Sequence, residues 1–281
     1  GGRMALTGSE FALAPAALFA ALCVGVAACQ GAADRAPAEL WIGGDLHLGE
    51  RGDAVTMLGA ALQGLPPHGI VNLEGRVVTS APADRSPDSY NLASQLTGLP
   101  ALGIQVAGIA NDTAATDDQG RQLTESSLRA VQVAPAGGAV PMAIMKVGRV
   151  RVAVTAHYLD GPVPDNLAEQ LRSAKAAADV LIATFHTDAI PSYTPTRDAR
   201  VAAGIALEQG AAVVAVSGSQ LLGSIERRGS QLVLWGLGNL GVACCSQRRD
   251  SMVVRIQVNG QGVVDAWVVP IFAAVGDKPA E

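Results

Sequence analysis

Polar side chains follow several apolar runs of this sequence at the point where a strand would end. The first run stops at Gly44-Asp45-Leu46-His47, an Asp-x-His arrangement that presents a carboxylate and an imidazole to one point. Carboxylate and imidazole groups are donors with which proteins bind divalent transition metals. We therefore predict that Asp45 and His47 belong to a metal site.

Three later runs deliver further donors of the same kinds. Glu74 follows Val71-Asn72-Leu73, Asn111 follows the next run, and His186 comes directly after the apolar run 180–185. Ligands bind beyond the carboxyl ends of the strands in open α/β sheets, so these side chains are expected at one edge of the sheet. With Asp45 and His47, they are the candidate residues of one polar site.

The elements that must position these residues alternate along the chain. Strands are predicted over residues 40–44, 70–73, 105–109, 139–145, 151–156, 180–184, 212–216, 231–235, 252–258 and 263–269, and helices over 53–62, 92–99, 124–133, 166–177 and 196–208. The β-α alternation of the first half favours an α/β fold with a parallel or mixed sheet and helices outside. From residue 231 onward, strands follow one another without helices, which predicts an antiparallel meander or a second sheet. The polar segment 79–91 is predicted to be an exposed loop.

Composition limits the classes of function. The chain has 281 residues, of which 49% are hydrophobic, and this apolar fraction excludes an intrinsically disordered chain. Its formal net charge of −5 offers no basic field for a phosphate backbone, so nucleic acid is not an expected partner. The chain has only four His and four Cys, which excludes a His-rich metal cluster and a disulfide framework.

The N-terminal segment predicts attachment to a membrane. Residues 11–33 carry no charge, and Val26-Ala27-Ala28-Cys29 matches the cleavage site of a bacterial lipoprotein, with Cys29 as the lipidated residue. An uncleaved anchor helix is the alternative interpretation. Either way, the body of the protein is expected in the cell envelope, outside the cytoplasm. The predicted organisation is a signal peptide over residues 1–28, a tether over 29–38 and one domain over 39–281.

The order of these motifs resembles the bacterial CapA or poly-γ-glutamate capsule biosynthesis family, a branch of the calcineurin-like metallophosphatases. The resemblance spans about residues 40–239 and rests on Gly44-Asp45, VNLEG at 71–75, Ala110-Asn111, the strand-final His186 and LGN at 237–239. It implies a metallophosphatase-like four-layer α/β/β/α sandwich with mixed sheets. It also implies a role in making or anchoring an extracellular polymer, either poly-γ-glutamate or capsular material.

Several positions depart from the family's pattern. The family's Asn-Asn-His turn is Asn111-Asp112-Thr113 here, its Gly-x-His-Pro-His is VSGSQ at 216–220, and its His-Trp-Gly-x-Glu is HTDAI at 186–190. Three imidazoles are therefore missing from a site that needs several His and carboxylate ligands to hold two ions. The ligands that the resemblance leaves in place are Asp45, His47, Glu74, Asn111 and His186, with Asp112 as a substitute. This set predicts one weakly held divalent ion (Mn, Fe or Zn) and no other cofactor.

Two functional hypotheses follow from these departures. The first is a catalytically degenerate factor that binds an extracellular polymer or an envelope assembly partner at the old cleft. The second is an active metal-dependent hydrolase of a phosphoester or of a polymer amide bond, in which the bound ion activates water. A serine hydrolase is disfavoured because Ser217 and Ser219 have no evident triad in the sequence.

Overall fold

The computed structural model describes residues 37–48, 54–83, 90–114, 116–139, 141–188, 191–241 and 250–273. All of them belong to one compact unit, Pro37–Glu281. The predicted signal peptide, the lipidation site Cys29 and most of the predicted tether lie outside the described residues. Within the described ranges, no helix is long and apolar enough to cross a membrane.

The first sheet has six strands in the order β14-β13-β1-β2-β5-β6. These strands are β1 (Ala38–Leu46), β2 (Gly69–Leu73), β5 (Ile104–Gly108), β6 (Ala134–Ala136), β13 (Asp250–Asn259) and β14 (Gly262–Phe272). Strands β1, β2, β5 and β6 are parallel, whereas β13 pairs antiparallel with both β1 and β14. The carboxyl ends of β1, β2 and β5 therefore lie side by side at one edge.

The second sheet also has six strands, in the order β11-β12-β10-β9-β8-β7. These are β7 (Met142–Val147), β8 (Val150–Leu159), β9 (Val180–Thr187), β10 (Ala211–Ser217), β11 (Ile225–Arg228) and β12 (Gln231–Leu234). The four inner strands run parallel, and the two edge strands are antiparallel to their neighbours. Strand β9 is buried along almost its whole length, as expected of a parallel strand covered on both faces.

Helices cover the outer faces of the two sheets. They are α1 (Ala54–Gly59), α2 (Asp118–Ala130), α3 (Leu167–Ala177) and α4 (Arg197–Glu208), with 3-10 turns at Ala93–Gly98 and Pro100–Leu102. One apolar cluster contains residues from both sheets, such as Ile42 and Ile182, and fills the space between them. Two further clusters join the outer face of the first sheet to α1 and α2, and that of the second to α3 and α4. This arrangement confirms the predicted four-layer α/β/β/α sandwich.

Some predicted elements differ from the observed ones. The segment predicted as an exposed loop, 79–91, ends in a short strand β4 (Tyr90–Leu92) that pairs with β3 (Arg76–Val78), and Tyr90 and Asn91 are fully buried. Helix α2 begins six residues earlier than predicted, because the Asp117 side chain accepts a hydrogen bond from the Gly120 amide and caps the first turn. The predicted strand 231–235 joins the second sheet as a parallel strand, so only β13 and β14 form the predicted antiparallel ending.

Candidate functional site

The edges of the two sheets bring polar strand ends together. In the first sheet, Asp45 of β1 is the register partner of Asn72 in β2, and Asn111 follows the neighbouring β5. In the second sheet, His186 of β9 is the register partner of Ser217 in β10. Because side chains of the two sheets reach each other here, residues separated by more than 100 positions in the chain come into contact.

Asp45 is the most buried of the charged residues at this edge, with 1% of its surface exposed. Its Oδ1 accepts a hydrogen bond from Asn72 Nδ2 at 2.8 Å, and its Oδ2 accepts one from the Gly218 amide at 2.9 Å. His186 Nδ1 lies 3.4 Å from Oδ1. Burial raises the pKa of Asp45, but the charge and hydrogen bond of His186, together with the hydrogen bonds from Gly218 and Ser217, lower it overall. Asp45 is therefore an ionised carboxylate.

Gly218 reaches Asp45 because its backbone adopts a conformation that other residues disfavour. Its φ is +100°, and a Cβ at this position would lie 2.0 Å from the Thr187 carbonyl oxygen. The Ser-Gly-Ser turn after β10 therefore serves to deliver a backbone amide to a buried carboxylate.

His186 makes contacts with both of its ring nitrogens. Nδ1 lies 2.9 Å from Ser217 Oγ, and Nε2 lies 3.0 Å from Asp112 Oδ1 and 4.0 Å from Glu74 Oε1. Burial alone would lower the pKa of His186. The charge of Asp45, the hydrogen bonds to Asp112 and Asp45, and the charge of Glu74 together outweigh burial and raise the pKa to about 10. In this arrangement His186 is an imidazolium among three carboxylates.

Two amide side chains connect these charged groups. Asn72 donates to Asp45, lies 3.1 Å from His186 Nδ1, and accepts a hydrogen bond from Asn111 Nδ2 at 3.2 Å. Asn111 also donates to the Leu73 carbonyl at 2.8 Å and accepts from Thr113 Oγ1 at 3.0 Å. Thr113, which stands where the family pattern has an imidazole, in turn accepts from the Gly75 amide. The asparagines thus lock the ends of β2 and β5 together.

Glu74, Asp112 and His186 form the only group of three or more metal-binding side chains among the residues that the structure describes. One ligand atom from each lies within 4.8 Å of the other two. Two carboxylates and an imidazole suit a divalent ion such as Zn, Fe or Mn, so the donor set fits the metal implied by the sequence. Asp45 contacts this group through His186, whereas His47 is buried after the end of β1 and is not part of it.

The segment that carries the LGN sequence runs beside the end of β1. The Asp45 amide donates to the Gly238 carbonyl at 3.1 Å, and the Leu240 amide donates to the Asp45 carbonyl at 2.8 Å. Asn239 forms an isolated parallel bridge with Asp45 and is buried. The five short sequence motifs therefore meet at one place.

Comparison with known proteins agrees with this geometry. A family model described as "Bacterial capsule synthesis protein PGA_cap" matches residues 66–242. The chain belongs to the PGA_cap family. No curated protein matches the chain. Family membership implies a role in capsule synthesis.

Solved structures confirm the metallophosphatase-like fold of this PGA_cap protein. A hypothetical protein from Thermus thermophilus superposes with a TM-score of 0.57 at 12% identity, over 83% of this chain and 98% of that one. A novel phosphatase from Mycoplasma pneumoniae has a TM-score of 0.56 at 10% identity, over 85% and 94%. A putative 5'-nucleotidase from Staphylococcus aureus, in complex with alpha-ketoglutarate, gives 0.52 at 9% identity, over 83% and 54%. At such identities the likeness shows the fold alone.

Two cavities flank the polar centre of this PGA_cap protein. One, of about 360 Å³, is lined by Asn111, Asp112 and Tyr158 among others, and the second, of about 370 Å³, by Thr187 and Asp188. Asp160 lines both, and the Tyr158 hydroxyl donates to Asp188 between them. The sequence did not single out Tyr158 or Asp160 as site residues, because each lies in or directly after an apolar strand and has no motif of its own. Asn72 was quoted only as part of VNLEG at 71–75 and not as a site residue.

His157 is a partly buried histidine that belongs to none of the sequence motifs described above. It lies within β8 and stacks on Phe185, with 5.5 Å between ring centroids. It is not a member of the metal-binding group among the described residues. Burial lowers the pKa of His157 to about 4, so the ring is neutral.

Proposed function

We propose that this protein is a lipid-anchored factor of capsule synthesis that binds an extracellular polymer or an envelope assembly partner at a catalytically degenerate centre. The proposal rests on one observation: the atoms of Asp45 and His186 that could bind a metal are in contact with other protein groups. Both oxygens of Asp45 accept hydrogen bonds from protein amides, and both ring nitrogens of His186 contact protein oxygens. The oxygens of Asp45 and the ring nitrogens of His186 are thus engaged with protein groups.

The neighbouring positions support the same interpretation. Thr113 and Gly218 occupy motifs in which the family pattern has imidazoles, and both hydrogen-bond within the centre. Thr113 connects strand ends and the Gly218 amide stabilises the ionised Asp45 carboxylate, which are structural tasks. A centre that has replaced metal ligands with such contacts keeps the shape of the cleft without the chemistry of two metals.

Glu74, Asp112 and His186 would hold a single divalent ion if one binds. A bound ion of this kind lowers the pKa of its water and so generates hydroxide near neutral pH. Of the three side chains, Asp112 also lines the cavity of about 360 Å³, together with Asn111 and Tyr158. Asp45 is not part of this group and would influence the ion only through its contact with His186.

The shape of the cleft fits an extended ligand. The two cavities share Asp160, and the hydrogen bond from Tyr158 to Asp188 lies between them. Their volumes are about 360 Å³ on the Tyr158 side and about 370 Å³ on the Asp188 side. Cavities of this size accommodate several residues of a polymer rather than a whole chain. Poly-γ-glutamate and capsular polysaccharide are the two ligands to test.

Titration calorimetry of the purified full chain with each polymer, in EDTA, tests the binding role. We expect binding that survives EDTA and that weakens about tenfold in Tyr158→Ala, because this ring separates the two cavities. Phe272→Ala removes an aromatic ring that is exposed on β14 and lines neither cavity, and it should leave binding unchanged. Absence of binding to either polymer, or equal binding by Tyr158→Ala, would argue against the proposed role.

The anchor is tested separately. Cys29→Ser should move the full-length protein from the membrane fraction to the soluble fraction, because lipidation requires the thiol. Cys23→Ser is the matched control, since this cysteine lies within the predicted signal peptide, and it should not change fractionation. A protein that stays in the membrane fraction after Cys29→Ser would favour the uncleaved anchor helix.

An active hydrolase is the second candidate, and the group Glu74, Asp112 and His186 favours it. Under that alternative, the full chain with Mn, Fe or Zn hydrolyses a generic phosphoester, and Asp45→Asn and His186→Ala abolish the turnover. Under our proposal the wild-type protein shows no turnover above the buffer blank with any of the three metals.

A further inference from the structure

The cavity of about 370 Å³, called the acidic cavity below, is lined by charges of one sign. Asp160, Asp188 and Asp198 line it, and none of the described residues in its lining is a lysine or an arginine. A ligand that enters this cavity therefore meets three carboxylates and no positive side chain. The sign of this charge restricts the chemistry of the ligand, because like charges across an interface oppose binding.

The neighbouring cavity of about 360 Å³ does not reverse this charge. Its two arginines, Arg76 and Arg121, are balanced by two aspartates in the same lining. Arg76 Nη1 lies 3.5 Å from Asp117 Oδ2, and Arg121 pairs with Asp118. An anionic ligand would have to compete with these carboxylates for either guanidinium group, so neither cavity favours a polyanion.

The carboxylates of both cavities act on the tyrosine that lies between them. Burial and the hydrogen bond to Asp188 raise the pKa of the Tyr158 hydroxyl. The charges of Asp188, Asp112 and Asp160 raise this pKa further. The negative potential is therefore continuous from one cavity to the other, along the path that an extended ligand would follow.

The rest of the acidic cavity combines hydroxyl groups with apolar surface. Ser192, Thr194 and Ser219 contribute hydroxyls, and Val216 and Trp235 contribute apolar surface. A hydroxyl both donates and accepts hydrogen bonds, whereas an ionised carboxylate only accepts them. This lining matches a sugar, because the hydroxyls of a sugar donate to carboxylates and its ring C–H groups pack on apolar side chains.

An exposed aromatic side chain belongs to the same segment. Tyr193 lies between the lining residues Ser192 and Thr194 in the chain. It is 74% exposed, the largest value among the exposed large hydrophobic residues that the structure describes. Tyrosine offers a rigid, amphipathic contact surface at a low cost in conformational entropy. We expect Tyr193 to contact a ligand ring that extends beyond the acidic cavity.

We infer that the acidic cavity takes sugar units that are uncharged or carry an amine, and that it disfavours poly-γ-glutamate. Poly-γ-glutamate carries a carboxylate on each residue, so its units in the cavity would meet Asp160, Asp188 and Asp198 without a counter-charge. A hydroxyl or an ammonium group would instead donate to the same carboxylates. This inference rests on the proposed binding function and names the class of polymer.

Titration calorimetry of the full chain in EDTA, with three tetrasaccharides of similar size, tests the charge preference. The probes are a glucosamine tetrasaccharide, its uncharged N-acetylated form and an anionic galacturonic acid tetrasaccharide. We expect the first two to bind, and the galacturonic acid probe and poly-γ-glutamate to bind at least about tenfold more weakly. The difference should shrink in about 0.5 M NaCl, because salt screens the charges of exposed carboxylates.

The double variant Asp160→Asn with Asp198→Asn separates electrostatic selection from a structural role. It removes two charges from the cavity and changes the side-chain shapes little. We expect the galacturonic acid probe to bind about tenfold more tightly than to the wild type, and the glucosamine probe to bind more weakly. A merely destabilised variant would weaken both probes together. Asp265→Asn, exposed on β14 and absent from both linings, is the matched control and should change neither affinity.

Tyr193 is tested with the N-acetylated probe. Tyr193→Ala should weaken its binding about tenfold, because the aromatic contact is lost. Tyr193→Phe should bind as the wild type does, since the ring is kept. Equal binding by Tyr193→Ala and the wild type would remove this residue from the proposed site.

The outcomes distinguish this inference from the proposed function. Binding of poly-γ-glutamate or of the galacturonic acid probe at least as tightly as the uncharged probe would overturn the inference and leave the polymer-binding role standing. Absence of binding by all of the probes would overturn both. Metal-dependent phosphoester turnover with an intact charge preference would overturn only the degenerate centre.

Discussion

Replacing Asp45 with Asn removes the charge of a buried carboxylate and changes little of its shape. In the native centre, one oxygen accepts from Asn72 and the other from the Gly218 amide, and His186 lies 3.4 Å away. An Asn side chain offers only one oxygen, so its NH₂ group must face one of these two donors. The substitution therefore breaks one hydrogen bond, leaves one buried donor without an acceptor, and removes one of the three carboxylates that surround His186.

The magnitude follows from those losses. A hydrogen bond to a charged group contributes about 1.5 to 3 kcal/mol, and an unsatisfied buried donor costs about 1 to 3 kcal/mol. Removing one partner of a buried ion pair costs about 3 to 5 kcal/mol. This figure already includes the lost hydrogen bond and the unsatisfied donor, so the values are not added together. We therefore expect Asp45→Asn to lower the free energy of unfolding by about 3 to 5 kcal/mol.

Urea unfolding in EDTA, followed by circular dichroism, measures this change. Asp179→Asn is the matched control, because Asp179 also accepts a backbone hydrogen bond and pairs with an arginine but is 39% exposed. The control should lose less than about 1 kcal/mol. If Asp45 were retained for metal binding at a cost to stability, Asp45→Asn would leave the metal-free protein unchanged or more stable, and that result would refute the reasoning.

Two further predictions concern stability away from the ion pair. The folded pKa of His157, about 4, lies below its ordinary value of 6.5, so the unfolded chain binds more protons; stability is present above pH 6.5 and is lost as the pH falls toward 4. His157→Leu should reduce the loss of unfolding free energy between pH 6.5 and 4 by up to about 3 kcal/mol, measured by urea unfolding at each pH. An equal loss in the variant and the wild type would contradict this. Asn91→Ala should cost about 3 kcal/mol in urea unfolding, because its buried side chain bonds the Leu48 amide and the Glu74 and Gly75 carbonyls. Asn259, a partly buried residue at the end of β13 whose side chain accepts one hydrogen bond, provides the control: Asn259→Ala should change stability little, and equal losses would contradict the prediction.

The sequence was sufficient to predict the sheets and the approach of the main site residues. Each long strand is an apolar run that ends in a polar residue, and parallel strands place such ends at one edge. Asp45, Glu74, Asn111 and His186 accordingly come together. The apolar runs predicted an α/β fold, whereas its four-layer architecture was implied by the resemblance to the capsule biosynthesis family. His47 does not join the group of metal-binding side chains, although it lies only two residues beyond Asp45.

Contacts between distant segments could not be predicted in the same way. Ser217 reaches His186, and Gly218 reaches Asp45, only because β9, β10 and β1 end at one place, and no local pattern specifies that register. Tyr90 and Asn91 lie at the end of a polar segment, yet they are buried because β4 pairs with β3 next to the centre. Asn72 lies in the VNLEG motif, but the motif assigns it no role by itself, since a single polar residue inside a strand is compatible with a solvated edge as well as with a buried hydrogen-bond network.

Metal content is the most direct test of the degenerate centre. The purified full chain is incubated with Mn, Fe or Zn in turn, separated from free metal by gel filtration and measured by mass spectrometry of the elements. We predict well under one tightly bound ion per chain, because Asp45 and His186 use their donor atoms on protein partners. One or two ions per chain, together with phosphoester turnover that is lost in His186→Ala, would contradict a binding protein and establish a metallohydrolase.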